Sequence, residues 1–222
     1  MNISSWFRKL STIALSIFLS LTIFSAPANA FVGTDSDKLR LTNACVSCDL
    51  SGVDLSNQDL YGAVLTGANL SKANLSGSLL VEANLEKATL TGANLSGASL
   101  MGSRLSEAKL TDANLSKADL YNVLMIKADL TGADLTEADL TSAVISEANL
   151  SKALVKEAKL QGAILSGSNL VDANFSSSKM RNTKLSKATL TGTNLREADL
   201  FNSLMPDGTT YNGDVSKFGA NQ

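Results

Sequence analysis

Ala68-Asn69-Leu70-Ser71-Lys72 is followed without a break by Ala73-Asn74-Leu75-Ser76-Gly77, and the five-residue pattern in these two segments decides the fold. Outward from here the register runs from Val46 to Met205, 160 residues or 32 consecutive pentapeptides, and an internal repeat takes precedence over local propensity. Its centre, from Leu50 to Met205, is Leu or occasionally Met, Ile, Val or Phe. Two residues before the centre the side chain is small nearly throughout, as at Ala63, Ala68, Ala73, Ser78 and Ala83. One continuous α-helix cannot use this pattern, because five steps of about 100° leave successive centres about 140° apart around the cylinder. A continuous strand fails as well, since side chains alternate with period two and an odd repeat sends Leu50 and Leu55 to opposite faces. Within one pentapeptide the small residue and the centre are two apart and point the same way. The chain must therefore turn a corner at every repeat and keep both inside.

Four pentapeptides, or twenty residues, make the simplest closed coil. Placing every twentieth residue in one column gives a first column of Leu50, Leu70, Leu90, Leu110, Leu130, Leu150, Leu170 and Leu190 without exception. Substitutions of the centre fall in the other columns: Val155 and Phe175 in the second, Met180 in the third, Met125, Ile145 and Met205 in the fourth. All are apolar, and burial contributes roughly 2 kcal/mol per aliphatic side chain.

The A-(D/N)-L-x-x pattern, seen in Ala68-Asn69-Leu70-Ser71-Lys72 and Ala133-Asp134-Leu135-Thr136-Glu137, resembles the pentapeptide-repeat proteins over about three quarters of the chain. The resemblance implies an all-β fold, a right-handed quadrilateral β-helix. Thirty-two repeats correspond to about eight coils, roughly 38 Å at about 4.8 Å per coil. Open solenoid ends recruit other chains and need covering, so 31–45 is expected to be an N-terminal cap, 46–205 the β-helix and 206–222 a C-terminal cap or tail.

Residues 1–30 read as a signal peptide: Arg8 and Lys9 precede an apolar run from Leu10 to Phe24, and Ala28-Asn29-Ala30 supplies a small-residue cleavage pattern. The run is shorter than the ~20 residues of a stable membrane span, so cleavage after Ala30 is expected, with no membrane association afterwards. The full chain holds 19 basic and 21 acidic residues. Without Arg8 and Lys9 the remainder holds 17 against 21, a net charge of −4 that names no polyanion or polycation as partner.

Cys45 and Cys48 begin the repeats, Cys48 at a small inward position and Cys45 on the central register of a partial repeat. They can be two small buried residues or, after export to an oxidising compartment, a disulfide. A zinc site lacks ligands, because the chain has no His and no third Cys. No metal and no cofactor is expected.

Outward positions carry mostly Asn or Asp before the centre, Ser or Thr after it, and Gly, Lys or Glu next. Columns such as Asn74, Asn94 and Asn114, or Lys87, Glu107, Lys127 and Glu147, read most simply as solvated surface. The third and fourth faces depart from this. Tyr61, Val64, Val81, Met101, Tyr121, Leu124, Val144 and Ile164, with Leu79, Ile126, Phe201 and Leu204, put twelve large apolar residues outside, against only Leu154 and Val171 on the other two faces. The first eight form the candidate interaction strip, and such strips mark contact sites or lie beneath the chain's own termini.

A non-enzymatic module follows, a rigid solenoid presenting an apolar edge to an unknown protein partner or to itself. Some members of the resembled family imitate duplex charge and bind DNA gyrase. That alternative needs an acidic surface and a cytoplasmic location, whereas Lys159 and Lys179 interrupt the column of Asp59, Asp119, Asp139 and Asp199, and the leader directs export. No nucleic acid is expected as a partner. An enzyme is disfavoured, since there is no catalytic His, no phosphate loop, and no Ser or Asp that stands apart from the repeat. The resemblance also implies a compartment: exported cyanobacterial members share a lead-in like Cys45-Val46-Ser47-Cys48 and an ending like Met205-Pro206-Asp207-Gly208-Thr209. The thylakoid lumen or the periplasm is the expected destination.

Overall fold

The five backbone N–H groups of one pentapeptide each need an acceptor, and in the computed structural model, which describes residues 34–211 and 213–221, all five of the repeat Ala68–Lys72 have one. Leu70 N donates to Thr89 O at 2.7 Å and Lys72 N to Thr91 O at 2.9 Å in the following coil. Asn69 N donates to Cys48 O at 2.8 Å in the preceding coil, and Ala68 N closes a turn on Leu65 O at 3.0 Å. Only Ser71 N finds no backbone acceptor, and it donates to the side-chain Oδ1 of Asn69 at 3.2 Å. The residue before the centre is thus Asn or Asp because its side chain completes the set.

Parallel bridges join residues twenty apart, such as Asp49↔Asn69, Asp54↔Asn74, Asp59↔Leu79 and Val64↔Asn84, giving four per twenty-residue turn of the chain. Among the described residues the β structure consists of single-residue bridges, because a repeat of five gives two residues to each turn and leaves only three extended. In every one of these turns from Ser47 to Asn202 the second central residue has positive φ, whether it is Gly or not. Such φ values define a type II turn when they follow an extended residue, and they match the position where Gly and Lys interchange in sequence.

Inside, the central Leu residues and the small residues beside them are almost wholly buried. Val155 lies one coil before Phe175, both fully buried, so the extra volume of one offsets the lack in the other. Where Ser or Thr takes the small position, Ser103 excepted, its hydroxyl donates to a main-chain carbonyl: Ser168 Oγ to Ile145 O at 2.6 Å, Thr193 Oγ1 to Leu170 O at 2.7 Å. Ser103 Oγ is the one buried side-chain oxygen or nitrogen among the described residues without a partner.

Helix α1 (Asp35–Thr42) precedes the first bridge, Ala44↔Val64. Its Leu39 is buried with the core, and its Asp35 Oδ2 accepts from Asp49 N at 2.7 Å, an edge donor that has no preceding coil. At the other end the chain returns: Leu204↔Thr210 pairs antiparallel, Asn194↔Asn221 pairs parallel, and Leu195 N donates to Asn221 O at 2.7 Å. Val215 is fully buried there, just before a short 3-10 turn at Ser216–Phe218. The expected leader 1–30, its cleavage point after Ala30 and the first residues of the expected cap lie outside the described residues. No helix among the described residues is long and apolar enough to cross a membrane.

Candidate interaction surface

The bridge order sets the geometry of the apolar strip. Leu124↔Val144 and Val144↔Ile164 are successive rungs of one column, with Arg104 and Lys184 flanking the three. Tyr61, Val81, Met101 and Tyr121 occupy the first turn position after the third-face centres Leu60, Leu80, Leu100 and Leu120. At Leu120–Leu124 one turn brings the two columns together, Tyr121 on one side of the corner and Leu124 on the other. Tyr61, Val64, Met101 and Tyr121 are exposed, while Val81, Leu124, Val144 and Ile164 are half-buried by neighbouring rungs. The strip is therefore not uniform: Tyr61, Met101 and Tyr121 of the third face are open with Val81 half-buried among them, whereas the fourth face is half-buried apart from Val64.

Polar groups border the open part. Tyr61 Oη donates to Glu82 Oε2 at 2.9 Å, and that hydrogen bond to a carboxylate raises the phenol's pKa. Lower on the face a shallow groove of about 450 Å³ is lined by Met101, Lys117, Ala118, Asp119, Tyr121, Glu137, Asp139 and Lys159. Lys159 Nζ donates to Asp139 Oδ2 at 3.0 Å, and Lys117 faces Glu137 at 3.8 Å. Partial burial raises the Asp139 pKa, but the hydroxyl and N–H of Thr141 together with Lys159 outweigh it and hold the carboxyl below its ordinary value. Further along the same face, beyond the strip, Arg181 pairs with Asp199 through its Nε and stacks 5.5 Å from the ring centre of Phe201, which at 66% is more exposed than Tyr61 or Tyr121. The groove and the Arg181–Phe201 stack escape a reading that sorts outward residues only into apolar and polar. Their signal was the same column of Asp119, Asp139, Lys159 and Lys179 whose change of sign argues against an acidic mimic.

The other sequence candidates gather at the first coil. Cys45 and Cys48 are joined as a disulfide with Cα atoms 5.3 Å apart, both buried, and Lys38 Nζ lies 3.7 Å from Cys48 Sγ. Asp35 is close enough to make a three-ligand cluster with them. The two sulfurs are committed to each other and a lysine cation adjoins them, so this donor set does not fit a metal ion. Outward columns also carry pairs between coils: Lys87 with Glu107 at 3.8 Å, Lys127 with Glu147 at 3.6 Å, and Asn94 Nδ2 to Asn74 Oδ1 at 3.3 Å.

Comparison with known proteins places this geometry. The family profile described as pentapeptide repeats matches in eight copies between residues 48 and 205. Among solved structures, HetL, a pentapeptide repeat protein involved in heterocyst differentiation regulation in the cyanobacterium Nostoc sp. strain PCC 7120, is 35% identical, over 76% of this chain and 87% of that one, with a TM-score of 0.47. A pentapeptide repeat protein from the Arabidopsis thaliana thylakoid lumen is 26% identical over 54% of this chain and 69% of its own, with a TM-score of 0.30. QnrB1, a plasmid-mediated fluoroquinolone resistance protein, is 23% identical over 74% of this chain and 82% of its own, with a TM-score of 0.48. No curated protein sequence matches the chain. With the repeat profile covering well over half of the chain and a twenty-residue bridge register running through the same residues, the chain belongs to the pentapeptide-repeat family.

Proposed function

We propose that this chain is a non-enzymatic, exported interaction module, a right-handed solenoid of about eight coils that presents the open part of its third face to a protein partner. The observation that carries this reading is the exposed column of Tyr61, Met101 and Tyr121, beside Leu79, on a surface whose outward positions are mostly small and polar. A solenoid spends its inward residues on packing, so recognition falls to outward columns, and exposed apolar columns mark contact sites. Export, with cleavage after Ala30 and the thylakoid lumen or periplasm as destination, is supported by the leader pattern and by the Cys45–Cys48 bond, which persists in oxidising compartments. Changing Tyr121 and Leu124 together to Ser tests the reading. Unchanged thermal stability with loss of assembly in the native compartment is expected; a drop in stability with assembly intact would show that the strip serves the fold alone.

A further inference from the structure

The third face is built so that one half complements the other. Along its residues before the centre, Asp119 and Asp139 are followed by Lys159 and Lys179 before the column returns to Asp at Asp199. Bridges join Asp119↔Asp139, Asp139↔Lys159 and Lys159↔Lys179, so these four are consecutive rungs of one column. Turning a second copy end over end about an axis between the rungs of Asp139 and Lys159 sets Asp139 against Lys159 and Asp119 against Lys179, each twice. The neighbouring column obeys the same operation. Tyr121 then faces Arg181, and Met101 faces Phe201.

The shapes agree with the charges. The groove has Met101, Tyr121, Asp119 and Asp139 in its lining, together with Lys117, Glu137 and Lys159, and the exposed Arg181–Phe201 stack lies on the same face an equal number of rungs beyond the axis. A cation beside an aromatic ring suits a recess that offers a phenol face and the Asp119 carboxylate, while Asp139 and Glu137 in the same lining are paired with Lys159 and Lys117. Because groove and stack exchange places under the two-fold rotation, the contact is isologous and closes at two copies.

We propose that the partner of this face is a second copy of the same chain, docked antiparallel so that the Arg181–Phe201 stack of each copy enters the groove at Met101 and Tyr121 of the other. The proposal rests on the reading of the strip as an interaction surface and names its occupant. Rungs from Met101 to Phe201 span about 24 Å at about 4.8 Å each. A strip of that length falls short of the roughly 800 Å² per partner of a standard interface, so the dimer is weak, concentration dependent and sensitive to salt.

Sedimentation of the purified protein tests this through a charge exchange. Within one chain residues 119 and 179 are three rungs, about 14 Å, apart and do not pair. Asp119→Lys alone and Lys179→Asp alone each place like charges across the axis twice, and each is expected to sediment as a monomer where the parent associates. An equimolar mixture of the two variants is fully complementary and is expected to recover the dimer, as is the double variant. Circular dichroism of each variant checks that the coils remain folded; if Asp119→Lys loses structure, Lys159→Asp with Asp139→Lys repeats the test at the central pair. A parent that remains monomeric at the highest concentration, or single variants that associate like the parent, overturns the proposal. A monomeric parent whose assembly in its compartment is still lost on changing Tyr121 and Leu124 to Ser would overturn the self-partner alone and leave the proposed function standing.

Discussion

Asn114 shows what a single outward residue does in this fold. Its Oδ1 accepts from Ser116 N at 3.0 Å and from Ser116 Oγ at 2.7 Å, supplying the acceptor that no backbone carbonyl provides. Asn114→Ala strands that N–H at a half-buried position, and the expected loss is about 1 kcal/mol by chemical denaturation; an unchanged midpoint would assign the repeat's Asn to something other than the turn. The position three residues on carries a cost of the opposite kind. Lys152 has φ 61°, a conformation that crowds Cβ in any residue but Gly. Lys152→Gly removes that crowding and is expected to stabilise by roughly 0.5 kcal/mol after the entropy of the unfolded Gly is offset. Read in sequence, such Lys and Glu residues look like ordinary solvated surface. Their backbone role was legible only in their interchange with Gly62, Gly67 and Gly92 at one position, a signal about φ rather than charge.

Between residue and molecule stands the coil, and here period five told nearly everything. The inward ladders follow from it directly, since Leu130, Ala133 and Leu135 are buried as the two-residue spacing requires. Ala133→Leu would force an isobutyl group into an interior with no exposed surface at that point, and a loss on the order of 1–3 kcal/mol is expected in thermal or denaturant unfolding. The ends were much less legible. Neither α1 nor the returning segment repeats, so spacing could mark them only as what remained outside the register. Residues 213–221 satisfy donors that a following coil would have satisfied: Gly192 N bonds to Gly219 O at 2.7 Å and Leu195 N to Asn221 O at 2.7 Å. Truncation after Tyr211 is expected to lower the unfolding temperature and to produce salt-insensitive association through the freed edge, measurable by light scattering. That association is distinguishable from the third-face dimer, which salt weakens.

Across the whole solenoid unit, Asp and Asn share the position before the centre, and they differ in what acid does to them. Asp49 and Asp54 are held below the ordinary carboxyl pKa chiefly by the side-chain hydroxyl and then the N–H of the Ser two residues on. At Asp129 partial burial pushes upward, but the hydroxyl and N–H of Thr131 and the hydroxyl of Thr111 prevail and the value is again lowered. A carboxyl with a folded pKa below its unfolded value binds protons more readily when unfolded. Its contribution is therefore complete above the unfolded value of about 3.9 and is lost as pH falls through the folded one. These carboxylates add in the same direction, so the unfolding temperature should be level from pH 7 to about pH 5 and fall progressively below about pH 4. Asn keeps the accepting Oδ1 and has no proton to bind, so Asp129→Asn should retain the turn and flatten the acid limb of the profile relative to the parent. A midpoint that stays constant to pH 3 in the parent, or an Asn variant whose acid limb is as steep, would separate the Asp columns from stability and leave the turn geometry as their only contribution.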